Sequence, residues 1–221
     1  PDWLRNLVSE FNDGIVGVGG GTRNIGRGVW GRSIGFVLDT FLGSADSVQD
    51  RVLPDKRIVP SISGCNSMFR RSDLLSIGNF NPALSMNEDT DICRRLQSIG
   101  RLCYTPDAIV LHNQDRSLKE FARRIYLFGK GRAKNRLWDI KVVPPIMGLL
   151  FVVVFPIFPY FLLAGIMVYI ALLLSFDIAI FVREKKASYL LTVPLIFMIE
   201  HGSYILGFWS GILESMRRGH A

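Results

Sequence analysis

The sequence contains few cysteines, and none of them stand in a pattern that would carry a metal or a disulfide framework. Its three cysteines, Cys65, Cys93 and Cys103, lack the paired short spacing of zinc ligands and are odd in number. This pattern is typical of proteins in a reducing compartment, where cysteines pack as small apolar side chains. A secreted disulfide scaffold is therefore excluded.

The fingerprints of dinucleotide and nucleic-acid binding are also missing. A predicted short strand, Ile15–Val18, runs into Gly19-Gly20-Gly21-Thr22, but Thr22 stands where the third fingerprint glycine is needed. Consecutive glycines allow a phosphate, a sugar or another strand to come close, and the sequence leaves these alternatives open. The arginines around Trp30 form neither a long basic stripe nor a binding module, so no nucleic-acid partner is expected.

Charge and apolar residues are unevenly distributed along the 221 residues, which carry a formal net charge of +7. The chain is charged and glycine-rich up to Lys141, whereas Val142–Val182 is apolar and contains a single charged residue, Asp177. Because one membrane span needs ~20 residues, this run predicts two spans, with a turn near 156–160.

A third apolar segment covers 189–213 and is interrupted by Glu200-His201-Gly202. Polar groups at membrane depth face protein or a pathway, so both a span and a re-entrant segment stay open. Basic residues flank the two spans predicted in 142–182, with Lys141 before them and Arg183-Glu184-Lys185-Lys186 after them. This pattern predicts that both flanks are cytoplasmic, with a short turn outside. We therefore expect an integral membrane protein with a cytoplasmic soluble domain.

Between these regions, Ser117-Leu118-Lys119-Glu120 forms a capping box that begins a helix. We expect Gly129-Lys130-Gly131-Arg132 to break it. The helix is amphipathic and basic, which predicts contact with anionic lipid headgroups. Its arginines also suit the recognition of a diphosphate, and both functions can reside in one helix.

The acidic stretch that begins at Asn87 predicts a helix with Asn87 as N-cap and acids in the first turn. One face of this helix should be buried, because its members follow helical spacing: Asp89, Ile92, Cys93 and Leu96. A carboxylate that leads a buried face is costly unless it has a function, which makes Asp89 a candidate general base. Alternatively, the acids only cap the helix and pair with Arg94 and Arg95.

Two short strands are expected around Thr105-Pro106-Asp107, and His112 closes the second of them. A single histidine at a strand end is usually structural, but a ligand or catalytic role stays open.

In this order, the motifs resemble those of family 2 glycosyltransferases, and more narrowly the membrane-anchored, succinoglycan-type branch that builds exopolysaccharide. The resemblance covers nearly the whole chain and rests on these motifs: the glycine run, Gly64-Cys65-Asn66 with Phe69-Arg70, Gly78-Asn79-Phe80-Asn81, Asn87-Glu88-Asp89-Thr90-Asp91, His112, and Arg124 with Gly129-Lys130-Gly131-Arg132.

The resemblance implies an α/β fold, a partial GT-A-type catalytic domain with a mixed sheet and flanking helices, followed by an α-helical transmembrane region. The expected boundaries are 1–116 for the catalytic part, 117–141 for the interfacial helix and linker, 142–213 for the membrane region and 214–221 for a basic tail.

The resemblance also implies inverting transfer from a nucleotide-sugar donor to a glycan or lipid-linked acceptor, with membrane lipids as further partners. Asp89 would be the general base. The other implied roles are acceptor support by Glu88 and Asp91, sugar contacts by Gly64 and Asn66, diphosphate binding by Arg124 and Arg132, and a metal ligand in His112.

Two departures from the family pattern shape these expectations. The Asp-x-Asp motif that holds Mg or Mn is missing, and Pro1-Asp2-Trp3-Leu4 resembles what normally follows it, so we expect the C-terminal part of a longer enzyme, with the main metal ligands upstream. Such a part alone should not bind a nucleotide sugar. The family's Gln-x-x-Arg-Trp pattern does not occur in that form. A non-enzymatic membrane-anchored binding or scaffold protein, or an inactive truncated piece, is the alternative.

Overall fold

A computed structural model describes residues 2–45, 47–48, 51–154 and 157–218. The chain divides into two compact units. The first unit comprises Pro1–Ile25 and Asp46–Gln114, and the second comprises Gly26–Ala45 and Asp115–Ala221. The first unit thus ends close to the boundary expected at 116, while residues 26–45 group with the C-terminal helices.

A mixed four-stranded sheet forms the centre of the first unit. Its strands are β1 (Ile15–Ile25), β2 (Arg57–Val59), β3 (Ser67–Phe69) and β4 (Arg101–Asn113), in the order β2-β4-β1-β3. The long strands β1 and β4 are parallel, whereas β2 and β3 are antiparallel to their neighbours. The sheet and its helices confirm an α/β fold.

Both long strands continue beyond the predicted ends. The glycine run does not terminate β1, which reaches Ile25, and β4 is one strand with an irregularity rather than two short strands. In register, Gly20 pairs with Thr105 and Gly21 pairs with Ile109, so three residues of β4 loop out between them. A Cβ at Gly20 would overlap the carbonyl oxygen of Ala108 in this loop. The partner that the glycines admit is therefore a neighbouring strand.

Short helices complete the first unit. They are α1 (Trp3–Val8), α4 (Arg71–Ser76) and α5 (Glu88–Leu96). The apolar face of α5 packs with β4 and β1 in one cluster that includes Ile92, Leu96, Leu102 and Val16, all of them buried. This packing holds the first turn of α5 in place.

The second unit is helical. It contains α2 (Val29–Leu38), α3 (Phe41–Ser44), α6 (Leu118–Lys134), a 3-10 turn (Ile140–Val142), α7 (Val143–Val154), α8 (Pro159–Glu184) and α9 (Tyr189–Arg218). Its core joins α2, α6, α8 and α9 through buried residues that include Ile34, Phe121, Ile180 and Phe197. The Ser117–Glu120 capping box at the start of α6 is confirmed. The predicted break at 129–132 is wrong, because α6 continues to Lys134 and its Gly129 fits against the backbone of α9.

Two helices, Pro159–Glu184 and Tyr189–Arg217, are long and apolar enough to cross a membrane. Among the described residues of the run 142–182, which predicted two spans, only α8 is a helix of that length. Its first part, α7, has 12 residues, about 18 Å at the rise of an α-helix. That is shorter than the ~30 Å hydrocarbon core of a bilayer.

Candidate functional site

Asp89 lies in the first turn of α5, on the face where the sequence predicts it. Ile92, Cys93 and Leu96 on the same face are fully buried, whereas Asp89 is half-exposed. The buried part of the face fixes the helix, and the leading carboxylate reaches the surface of the unit. A half-exposed carboxylate on a fixed helix is accessible to a substrate.

Backbone and side-chain donors hold the Asp89 carboxylate on both oxygens. Oδ2 accepts a hydrogen bond from the backbone N–H of Gly64 at 3.2 Å. Oδ1 accepts one from the backbone N–H of Thr90 at 2.7 Å and a longer one from the Thr90 hydroxyl at 3.4 Å. Hydrogen bonds to a charged acceptor orient it and are stronger than hydrogen bonds between neutral groups. The structure thus joins two motifs that are 25 residues apart in the sequence.

The other acids of this turn differ in their surroundings. Glu88 is exposed. Asp91 accepts two hydrogen bonds from Arg95, at 3.0 Å from Nε and 2.8 Å from Nη2. Arg95 also donates to the carbonyl oxygens of Ile77 and Asn79. For Asp91, the alternative of pairing within the helix therefore holds, and the pair ties α5 to the preceding loop.

Asn87 occupies the N-cap position, but its side chain makes no capping hydrogen bond. Its φ of 61° places it in the left-handed region, which asparagine tolerates better than most residues. The predicted cap is therefore correct in position and wrong in mechanism. A tight backbone turn, rather than a side-chain cap, brings the chain into α5.

Asn66 is buried and makes three hydrogen bonds within the protein. Its Nδ2 donates to the carbonyl oxygens of Gly21 and Ala108, both at 2.9 Å, and its Oδ1 accepts from Trp3 Nε1 at 2.9 Å. The side chain thus bridges the irregularity between β1 and β4 and connects it to α1. Both amide hydrogens are engaged within the protein, so the role of Asn66 is to hold the neighbouring Gly64 loop in its position.

His112 lies near the end of β4, in register with Asn24 of β1, and is half-buried. In the part of the chain that the structure describes, no three histidine, cysteine, aspartate or glutamate side chains form a group that could hold a metal ion. Among the described residues, those around His112 therefore do not supply a full ligand set for Mg or Mn.

The two arginines expected at a diphosphate belong to the second unit and differ in availability. Arg124 is exposed, and its guanidinium lies 5.3 Å from the centre of the Phe128 ring. Arg132 is buried and forms an ion pair with Asp139, with 2.5 Å between Nη1 and Oδ2. A phosphate would have to compete with that carboxylate for Arg132. Arg124 is the better candidate for an anionic ligand.

Sequence reasoning did not identify Thr90 as a donor to Asp89 or Trp3 as the partner of Asn66. Thr90 could have been found, because it follows the candidate base directly and a first-turn N–H has no partner inside the helix. Trp3 could not, because it lies 63 residues from Asn66 in the chain. Comparison with protein-family models, with curated proteins and with solved structures finds no significant match to this chain.

Proposed function

We propose that this chain carries the general base of an inverting glycosyltransferase of family 2 type. The enzyme moves a sugar from a nucleotide-activated donor to a polysaccharide or lipid-linked acceptor at the cytoplasmic face of the membrane. One observation carries the proposal. Asp89 stands half-exposed on a buried helix face, with its carboxylate oriented by the backbone N–H of Gly64.

In the proposed reaction, an acceptor hydroxyl oxygen attacks the anomeric carbon of the donor sugar. The new carbon–oxygen bond forms as the bond to the diphosphate breaks, and the nucleoside diphosphate leaves with the electron pair. The acceptor proton passes to Asp89, whose carboxylate is a suitable base when it lies within hydrogen-bond reach of the hydroxyl. The resemblance implies that an arginine of α6, for which Arg124 is the available one, binds a diphosphate, because a guanidinium matches phosphate geometry. Glu88 would support the acceptor.

Association with a membrane is supported by the two long apolar helices, α8 and α9. We assign the catalytic part to the cytoplasmic side because lysine and arginine flank the apolar segments, at Lys141 and at 183–186. An acceptor attached to lipid would meet the enzyme at this surface.

The test compares Asp89→Asn with Asp55→Asn in the native-length protein in its own membranes. Asp55 is a surface acid of the same unit, with its side chain 78% exposed. Transfer of radiolabelled sugar to endogenous acceptors is measured with a panel of nucleotide sugars. Since a general base contributes a factor of about 10²–10⁴, we expect Asp89→Asn to lose at least about a hundredfold in rate and Asp55→Asn to stay within about twofold.

Two outcomes would count against the proposal, and they differ in meaning. Near-normal transfer by Asp89→Asn would remove Asp89 from the chemistry while leaving the enzyme class intact. An absence of transfer by the wild-type protein with every donor would favour the membrane-anchored binding protein instead. The observation that supports this second candidate is the row of exposed cations on α6, at Lys119, Arg123 and Arg124.

A further inference from the structure

Helix α9 has two opposite faces with different neighbours. Large apolar side chains are exposed along one side of the helix: Leu191, Met198, Leu206, Leu213 and Met216. Their spacing of seven or eight residues, followed by three, keeps them on one stripe of an α-helix. The opposite face carries Gly207 and Gly211, which fit against the backbone of α6. One side of α9 therefore faces its surroundings, and the other faces protein.

α6 runs parallel to α9 along the C-terminal half of that helix. A Cβ at Gly207 would meet the backbone of Tyr126, and one at Gly211 would meet the backbone of Lys130. Polar contacts advance in the same order. The Tyr126 hydroxyl donates to Ser210 Oγ at 2.7 Å, and Lys134 pairs with Glu214 at 2.8 Å. A residue of α6 thus lies at the same height along the paired helices as the residue of α9 whose number is about 80 higher.

The exposed side of α6 places cations beside the middle of α9. Arg123 and Arg124 are exposed and precede Gly129, which lies against Tyr204 and Phe208, by about one and a half turns. They are therefore level with about residues 203–205, the centre of the helix. If α9 crossed the hydrocarbon, these guanidinium groups would lie at the middle of the bilayer, where exposed charge is strongly disfavoured.

A second contact at the middle of α9 points the same way. His201 Nε2 lies 3.2 Å from the carbonyl oxygen of Leu42, in the short helix α3. Leu42 follows the α2–α3 connection, which contains exposed Asp39. Chain that leaves a helix and carries an exposed acid is not found against lipid within the hydrocarbon region. The centre of α9 therefore lies at a depth where such a connection is allowed, which is outside the hydrocarbon region.

The α7–α8 pair cannot cross the bilayer, because α7 is too short. α7 has 12 residues and exposes apolar side chains over most of its circumference, so it is not the core helix of a soluble domain. α8 returns beside it, with Gly165 against Phe151. The buried residues of α8 all lie in its second half, which leaves a first half close to α7 in length. Apolar helices of 10–14 residues are typical of re-entrant segments.

We propose that the second unit is monotopic, which is to say that it enters one leaflet and leaves on the same side. The α7–α8 hairpin dips into the bilayer and returns. α9 lies in the interface, with its exposed apolar stripe toward the acyl chains of an anionic leaflet and α6 on the headgroup side. This mode of attachment is independent of the proposed sugar transfer.

The test uses single cysteines in the full native-length chain, in a Cys65→Ser background that removes the exposed thiol. A membrane-impermeant maleimide is applied to intact cells, to inverted vesicles and after detergent. Lys186→Cys and Arg217→Cys flank α9, and both should react from the same side. Ile157→Cys, at the tip of the hairpin, should react only after detergent. Reaction of the flanking pair from opposite sides, or of Ile157→Cys from the side opposite Lys186→Cys, would overturn the proposal.

A matched pair at one level of the helices adds a second measurement. Arg124→Cys and Leu206→Cys lie on opposite sides of the α6–α9 pair, within about one helical turn of each other in height. In a monotopic arrangement, Arg124→Cys reacts from the flanking side at least about tenfold faster than Leu206→Cys. Equal protection of both cysteines in intact membranes would mean that this level lies inside the bilayer, and the proposal would be wrong.

Discussion

At the scale of single residues, the position of Asp89 depends on a backbone donor rather than on a charged partner. Gly64 supplies the N–H, and a Cβ at Gly64 would lie 3.4 Å from Asp89 Cβ, an ordinary contact distance. A small side chain can therefore be added while the donor is kept. This makes it possible to separate the hydrogen bond from the space around it.

We predict that Gly64→Pro reduces sugar transfer by about 10–150-fold and Gly64→Ala by less than about threefold. Proline removes the N–H, and a hydrogen bond to a charged group contributes about 1.5–3 kcal/mol. Initial rates in native membranes measure the difference, with protein levels matched by immunoblot. Equal losses in the two variants would show that the loop conformation matters and the N–H donor does not.

A buried thiol next to this site permits a prediction about pH. Burial in the core raises the pKa of Cys93 from its ordinary value of 9.0 to about 11. The folded protein therefore keeps the thiol protonated at pH values where the unfolded chain ionises. Stability from this group is complete below about pH 9, and it is lost as the pH rises toward 11.

We expect iodoacetamide at pH 8 to alkylate exposed Cys65 at least about a hundredfold faster than Cys93, because the thiolate is the reactive form. Peptide mass spectrometry at timed intervals measures both rates. The Cys93 rate should increase with pH up to about 11, and a plateau near pH 9 would contradict the raised pKa. Denaturant should make the two rates similar, which serves as the control.

At the scale of elements, the contact between α6 and α9 depends on glycines that allow the two backbones to approach. Small residues at a helix interface permit close packing of this kind. Gly207 lies against the backbone of Tyr126, whereas Gly202, in the same helix, has open space where a side chain would begin. The two positions form a matched pair with opposite expectations.

We predict that Gly207→Ala lowers the free energy of unfolding by about 1–3 kcal/mol, as overpacking does. Gly202→Ala should leave it unchanged or raise it by up to about 1 kcal/mol, because alanine favours helix more than glycine does. Thermal denaturation of the detergent-solubilised protein, followed by circular dichroism, measures both variants. A loss of stability in Gly202→Ala equal to that in Gly207→Ala would contradict close packing as the cause.

At the scale of the whole molecule, the boundary between the two units does not follow the change from charged to apolar sequence. Residues 26–45 precede most of the sheet in the chain but group with the C-terminal helices. The buried side chains of α2, among them Ile34 and Val37, pack in the same core as α6, α8 and α9. The apolar sequence of α2 indicates that the helix must be buried, but it does not indicate which other helices cover it.

The same limit applies to the membrane region. Hydropathy identifies α8 and α9 as long enough to cross a bilayer. A single arginine at the centre of a transmembrane helix costs about 2.5–3.5 kcal/mol on the translocon scale. Two exposed arginines on α6 beside the centre of α9 therefore oppose insertion of that helix, and this conflict becomes visible only once α6 and α9 are seen to pack together.

The features that the sequence predicts correctly are those that short-range physics controls. The buried face of α5 follows from helical spacing, the start of α6 from its capping box, and the apolar character of the C-terminal region from composition. Which segments meet is established only when the chain folds. Folding places the loop of β4 over Gly20, engages Asn66 in a hydrogen bond to the carbonyl oxygen of Ala108 in that loop, and pairs Arg132 with Asp139. These outcomes depend on surfaces that lie far apart in the chain and are buried together on folding, which local patterns do not encode.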